Sequence, residues 1–169
     1  MTVIEKFLGQ RVEIPEDRKY YAKQGLWAKP EDQHMVFGFT EPALVLAGGI
    51  NDLDWLVSEK AAVKPGQDVV FVITGKSLYI DTPLQGIISF NAEVKENLSL
   101  TSQDPYGKGW LFRIKTDAGK AETGQNFADA QEYKECLKGS DGFKNPEGLK
   151  GGVSGICKAV YSGIREQKL

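Results

Sequence analysis

Short apolar segments separated by Gly, Pro and Asn run along the chain from residue 20 to residue 115. Each segment is rich in aromatic and β-branched side chains, a composition typical of strands. The segments predicted as strands are residues 20–27, 34–39, 52–58, 69–74, 78–81, 86–93 and 110–115. Many short strands with turn residues between them indicate a mainly β fold, a flattened β-barrel or a sandwich, with a few short helices.

Helical signals are fewer and lie at defined places. Thr40 followed by Pro42 is the pattern of a helix start with Thr as the N-cap, and Gly48-Gly49 would end that helix after about two turns. Apolar residues recur at helical spacing over residues 127–137 and again over residues 153–164. A helical turn is also expected over residues 3–8. Asn91 is expected to close the strand before it as a turn residue in left-handed backbone.

The composition divides the chain into three parts. Residues 1–16 form an N-terminal extension, residues 17–138 form the β domain with its closing helix, and residues 139–169 form a Gly-rich segment followed by a last helix. The apolar stripe of that C-terminal helical extension either packs against the β domain or serves as a docking surface for a partner. Packing is the commoner use of such a stripe.

Charge and hydropathy exclude several partners. The formal net charge is −2 and the sequence pI is about 5.5, which gives no electrostatic reason to expect nucleic acid or an anionic membrane. No apolar run approaches the length of a membrane helix, and residues 1–6 lack the basic start and apolar stretch of a signal peptide. We therefore expect a cytoplasmic protein.

Residue types that perform catalysis or bind metals are scarce. The chain has one His, His34, and two cysteines, Cys136 and Cys157, which lack metal-ligand spacing. We expect both thiols to be reduced, with a thiol relay as the alternative. The chain shows no Ser/His/Asp arrangement and no Gly-rich phosphate loop. The sequence therefore predicts a protein that is not itself an enzyme.

One lysine stands at the tip of a predicted hairpin. Residues 69–74 and 78–81 are its two strands, and Gly75, Lys76 and Ser77 connect them. Gly75 would supply the positive φ that a sharp reversal needs. Such a tip holds the Lys76 amine out in solvent.

Several motifs of this chain occur together in one protein family. They are Tyr21-Ala22-Lys23-Gln24-Gly25-Leu26-Trp27, Gly38-Phe39-Thr40, Val63-Lys64-Pro65-Gly66-Gln67, Pro83-Leu84-Gln85-Gly86, Asn91 and Asp104-Pro105-Tyr106-Gly107-Lys108-Gly109-Trp110. In their order and nearly in their spacing, residues 17–117 resemble the glycine cleavage system H protein. The resemblance implies a lipoyl-carrier fold of the barrel-sandwich hybrid type.

The resemblance also implies a cofactor and partners. Counted forward from Gly66, Lys76 falls at the position of the family's lipoyl-lysine, with Gly75 and Ser77 beside it. Lipoate would then be bound covalently to Lys76. The implied partners are the P, T and L type enzymes of glycine cleavage, or divergent equivalents, and a lipoate ligase.

The chain departs from the family pattern around the lysine and near the N-terminus. The family usually reads Glu-Ser-Val-Lys-Ala, whereas here Ile73 replaces the acid and Ser77 the small apolar residue. Gly25 and Leu26 stand where the family commonly places a His and an acid. Counted back from Pro83, the lysine is one residue out of register, so we expect a deletion in the second arm of the hairpin.

Three functions are compatible with these features. The first is a carrier whose lipoyl arm shuttles an aminomethyl group in glycine cleavage, or a sulfur intermediate in a divergent pathway. The alternative is an H-protein-like scaffold without lipoate that binds a partner through its β domain and C-terminal helix. An enzyme in its own right ranks last, since the catalytic constellation is missing.

Overall fold

The structure is a computed structural model that describes residues 1–116 and 127–149. The predicted linker at 118–125, the predicted helix at 153–164 and Cys157 lie outside the described residues.

Three antiparallel sheets form the framework of the described residues. Their strands are β1 (Thr2–Phe7), β2 (Gln10–Ile14), β3 (Lys19–Tyr21), β4 (Leu26–Glu31), β5 (His34–Phe39), β6 (Asp52–Trp55), β7 (Ala62–Val63), β8 (Asp68–Ile73), β9 (Ser77–Asp81), β10 (Gly86–Phe90) and β11 (Phe112–Lys115). The β1-β2 hairpin stands apart from a six-stranded sheet, ordered β3-β4-β5-β11-β10-β7, and a three-stranded sheet, ordered β6-β8-β9. The predicted mainly β class is confirmed, in the form of a sandwich rather than a closed barrel.

Short helices connect and flank the strands. They are α1 (Glu41–Ala47), α2 (Ala92–Glu96), α3 (Leu100–Gln103), α4 (Ala130–Cys136) and α5 (Asp141–Lys144), with a 3₁₀ turn over Leu137–Gly139. Helix α1 begins and ends where its capping residues predict. The Thr40 hydroxyl accepts a hydrogen bond from the Ala43 amide at 3.1 Å, and Gly48 closes the helix in left-handed backbone with φ 73°.

The main core lies between the six-stranded and three-stranded sheets. Phe37 of β5 and Phe112 of β11 stack there with ring centroids 4.9 Å apart. Val70 and Val72 of β8 reach the same cluster from the smaller sheet, and both are fully buried. Because alternate residues of a strand point to opposite faces, these two valines fix which face of β8 lies inside.

A second core lies under the N-terminal hairpin. Ile4, Phe7, Val12 and Ile14 point from β1 and β2 into a cluster that contains Tyr133 of α4. The helical turn expected over residues 3–8 is therefore wrong. The register of β1 shifts between Ile4 and Phe7, and this irregularity gives the apolar residues a helix-like spacing in the sequence.

The N-terminal hairpin is also joined to the last described helices by backbone hydrogen bonds. The Leu8 amide donates to the Gly142 carbonyl at 3.3 Å, and the Gly9 amide donates to the Pro146 carbonyl at 2.7 Å. The ring of Tyr133 stacks on Tyr20 of β3 with centroids 4.9 Å apart. The two ends of the described chain thus pack together against the back of the six-stranded sheet.

Asn91 follows the end of a strand, as expected, but its backbone is not left-handed. The strand predicted over residues 86–93 ends at Phe90, and Asn91 is the N-cap of α2 with φ −86°, outside left-handed backbone. Its side-chain amide donates to the carbonyls of Lys108 at 2.9 Å and Trp110 at 2.8 Å. Asn91 therefore ties α2 to the loop before β11.

That loop, residues 104–110, is bonded to two distant parts of the chain. The Trp27 indole donates to the Pro105 carbonyl at 2.8 Å, and the Tyr106 hydroxyl donates to the Glu13 carbonyl at 2.5 Å. Gly109 is required for close approach, because a Cβ there would lie 2.4 Å from the Leu100 carbonyl oxygen. The loop joins β4 and the N-terminal hairpin through these contacts.

We predict that Gly142→Ala destabilises the protein by about 1–3 kcal/mol, as overpacking of a core does. A Cβ at Gly142 would lie 2.2 Å from the ring of Phe7, whereas a Cβ at Gly139 would meet nothing within 4 Å. Gly139→Ala is thus the matched control in a neighbouring turn. Equal free energies of unfolding for the two variants, measured by urea denaturation, would contradict the packing of the hairpin against α5.

Candidate functional site

Lys76 lies in the loop between β8 and β9. The pairing of Ile73 with Ser77 leaves Thr74, Gly75 and Lys76 as the loop residues. Gly75, Lys76 and Ser77 are all exposed. The chain therefore presents a primary amine on a flexible side chain at the tip of a hairpin.

The loop is closed by Thr74, a residue that the sequence analysis did not single out. Its amide donates to the Lys76 carbonyl at 2.8 Å, and its hydroxyl oxygen accepts the Lys76 amide at 3.1 Å. Gly75 does not adopt positive φ, so the expected left-handed reversal is wrong. Thr is a known turn signal, because its hydroxyl can hydrogen-bond to the backbone of a residue two positions later.

The base of the hairpin contains a β-bulge. Asp68 pairs with Asp81 and Val70 pairs with Ile80. Val69 lies between them as an extra residue of β8 that has no partner on β9. Val69 and Val70 are both fully buried. The second arm is thus one residue shorter than the first.

A largely apolar cleft of about 500 Å³ lies beside Lys76. Val72, Thr74, Gly75, Lys76, Leu78 and Ile80 of the hairpin form one wall, Ala43, Leu44, Leu46 and Ala47 of α1 form another, and Ala22, Lys23, Gln24 and Gly25 of the β3–β4 turn contribute to the rest of the lining. Such a volume is within the range of small-molecule pockets in proteins.

Gly25 lines the cleft, whereas Leu26 packs in the main core. Gly25 has φ 69°, and a Cβ there would lie 2.6 Å from the Cβ of Ala43. Leu26 is fully buried in the main core. The turn thus approaches α1 closely, and neither position presents a polar side chain to the cleft.

A hydrogen-bonded carboxylate stands beside the cleft on the β3–β4 side. The Tyr21 hydroxyl donates to Oδ1 of Asp81 at 2.7 Å, and Nζ of Lys23 lies 3.4 Å from Oδ2 of the same residue. Burial and the hydrogen bond to Asp81 raise the pKa of Tyr21 to about 12. Tyr21 is therefore a neutral hydrogen-bond donor at physiological pH.

Residues 1–116 and 127–149 contain no cluster of three or more His, Cys, Asp or Glu side chains suited to a metal ion. No helix formed by these residues has the length and apolar character that crossing a membrane requires. Cys136 has an exposed free thiol at the end of α4.

A family model and two relatives of this chain are all described as glycine cleavage H proteins. The sequence model of the family described as Glycine cleavage H-protein matches residues 19–140. The chain is 33% identical over 130 residues to the glycine cleavage system H protein of Thermus thermophilus, covering 75% of this chain and 98% of that protein. It is 34% identical over 153 residues to the probable glycine cleavage system H protein 2 of Saccharolobus solfataricus, covering 88% of this chain and 95% of that protein.

A solved structure supports the same relationship. The fold is similar to the crystal structure of a glycine cleavage system H protein from Mycobacterium marinum, with a TM-score of 0.60 and 26% sequence identity. The match covers 76% of this chain and 99% of that structure. Taken with the family match over residues 19–140, these similarities show that the chain belongs to the glycine cleavage H-protein family.

Proposed function

We propose that this protein is a carrier that holds lipoate in amide linkage on Lys76. Glycine cleavage H proteins are carriers that bear lipoate on a lysine. The observation that supports Lys76 as that lysine is its exposed position at the tip of the β8–β9 hairpin. Gly75 and Ser77 flank the attachment point and leave space around it.

The chemistry of such a carrier requires little from the protein itself. Lipoate in amide linkage would remove the charge of Lys76 and supply a terminal dithiolane on a longer arm. Tethering raises the effective concentration of the thiols at each partner. A protein without its own catalytic residues is sufficient for this task, and we propose that this chain is not an enzyme.

The cleft beside Lys76 is a place for the lipoyl arm to rest between partners. The apolar side chains of Leu46, Ala47 and Leu78 would contact the hydrocarbon part of the arm. Burial of that apolar surface favours the docked position, at roughly 25 cal/mol per Å² removed from water. The walls of the cleft would shield such an arm from side reactions.

The proposed partners are the P, T and L type enzymes of glycine cleavage or divergent equivalents, together with a lipoate ligase. The cargo is an aminomethyl group or, in a divergent pathway, a sulfur intermediate. Gly25 and Leu26 favour a pathway that has diverged from glycine cleavage. Gly25 lies against α1, and Leu26 lies in the core. Neither residue has a polar side-chain group that could contact a polar cargo.

We predict that Lys76→Arg abolishes lipoylation while Lys64→Arg leaves it intact. Both lysines are exposed, and surface substitutions shift the free energy of unfolding by about 0.5 kcal/mol or less. The measurement is the intact mass of each variant produced in lipoate-replete cells, with thermal melting as the control for folding. Retained lipoyl mass in the Lys76→Arg variant would contradict the assignment.

We also predict a difference in glycine cleavage between this protein and an H protein of the family. Lipoylated protein should support the glycine decarboxylase and aminomethyltransferase at lower turnover than the lipoylated Thermus thermophilus H protein, because carrier specificity depends on matched partner contacts. The measurement is a reconstituted glycine cleavage assay with the two carriers at equal concentration. Equal turnover would refute the divergence and leave aminomethyl transfer as the function.

A further inference from the structure

The three-stranded sheet has one buried face and one face that none of the described hydrophobic clusters covers. We name the second the outer hairpin face and define it by Phe71 and Ile73 of β8, Tyr79 of β9, and Asp52 and Asp54 of β6. Ile73 is 37% exposed and Tyr79 is 58% exposed. The rings of Phe71 and Tyr79 lie together, with centroids 5.1 Å apart. Neighbouring exposed apolar side chains of this kind mark interaction sites.

Strand register places acidic residues along one edge of this apolar surface. Asp52 pairs with Ile73, and Asp54 pairs with Phe71. Both carboxylates are exposed. Asp54 forms an ion pair with Lys95, whereas Asp52 forms no salt bridge with another described residue. The outer hairpin face therefore combines an apolar centre with an acidic rim, to which a partner with an apolar contact surface and a basic rim is complementary.

The outer hairpin face begins directly beside Lys76. Ile73 pairs with Ser77, the residue that follows the lysine. The opposite flank of the hairpin faces the cleft, where α1 and the β3–β4 turn stand beside it. A protein that approaches the hairpin tip therefore has open access along the outer hairpin face.

Geometry distinguishes the possible partners. An enzyme that acylates Lys76 must bring its active site within the length of a four-carbon side chain, so its surface must cover the flanks of the hairpin. A partner that receives the finished lipoyl arm works at a greater distance from the backbone. The acylating enzyme is thus the partner that must contact the surface next to Lys76.

We infer that the outer hairpin face is the docking surface for the enzyme that attaches lipoate to Lys76. This inference rests on the proposed function. In the reaction, the amine attacks the carbonyl carbon of a lipoyl group activated as a mixed anhydride with a nucleotide. The amide bond forms, the nucleotide phosphate leaves, and the amine nitrogen loses a proton. Phe71, Ile73 and Tyr79 supply contact area, and Asp52 orients the basic rim of the enzyme.

The test measures lipoylation rates of four variants in the source organism. Cells that express wild type or a variant receive a pulse of isotopically labelled lipoate, and the labelled fraction of Lys76 is followed by mass spectrometry. Ile73→Ser and Tyr79→Ser should slow incorporation about tenfold, as truncation of central interface residues does, and Asp52→Asn severalfold. Ile87→Ser is the matched control. Ile87 is 39% exposed on β10, in the other sheet, and its variant should match wild type.

A chemical reaction separates docking from damage to the hairpin. Acetylation of Lys76 by a succinimidyl ester needs no protein partner, so its rate should be equal in wild type and all four variants. A parallel fall in chemical acetylation would overturn the inference, because the substitutions would then have disturbed the loop. Equal lipoylation of the Ile73→Ser and Ile87→Ser variants would overturn it as well. Wild-type protein with no lipoyl group on Lys76, labelled or unlabelled, would instead overturn the proposed function.

Discussion

The inward packing of Val70 and Val72 is the constraint on which the presentation of Lys76 depends. Both valines are fully buried in the main core, which fixes the register of β8. A slip of one residue would bury Phe71 and Ile73 and expose the valines. The loop from Thr74 to Lys76 would then project from the sheet in a different direction. Burial of two small side chains thus determines the direction in which the Lys76 amine projects.

The cleft beside Lys76 depends on contacts between distant parts of the chain. Thr40 caps α1 and shares a hydrogen bond with the Tyr133 hydroxyl at 2.7 Å. Tyr133 belongs to the second core, and it stacks on Tyr20. Helix α1 is thereby held between the two cores, close enough to Gly25 that no Cβ fits there. The second core therefore positions a wall of the cleft, and its Tyr133 and Leu137 also belong to the lining.

Features set by local chemistry could be predicted from the sequence. Thr40, Pro42 and Gly48 give the bounds of α1, since capping and proline geometry act within a few residues. Strand β5 and the β8–β9 hairpin follow from short β-branched and aromatic runs. The exposed position of Lys76 follows from the hairpin that presents it.

Features set by tertiary contacts could not be predicted in this way. The bulge in β1 spaces Ile4 and Phe7 as a helix would, and the pairing with β2 makes this segment a strand. Left-handed backbone is expected for Asn91 from its place after a strand, yet it caps α2 and donates to two carbonyls in the loop before β11. The cleft combines α1, the β3–β4 turn and the hairpin, and no local pattern reports their proximity.

The most direct test of the central claim is the intact mass of the unaltered protein purified from lipoate-replete cells of its source organism, with fragmentation to locate any added group. The account predicts one lipoyl group per chain, on Lys76. Protein without added mass, or a lipoyl group on a different lysine, would contradict the account.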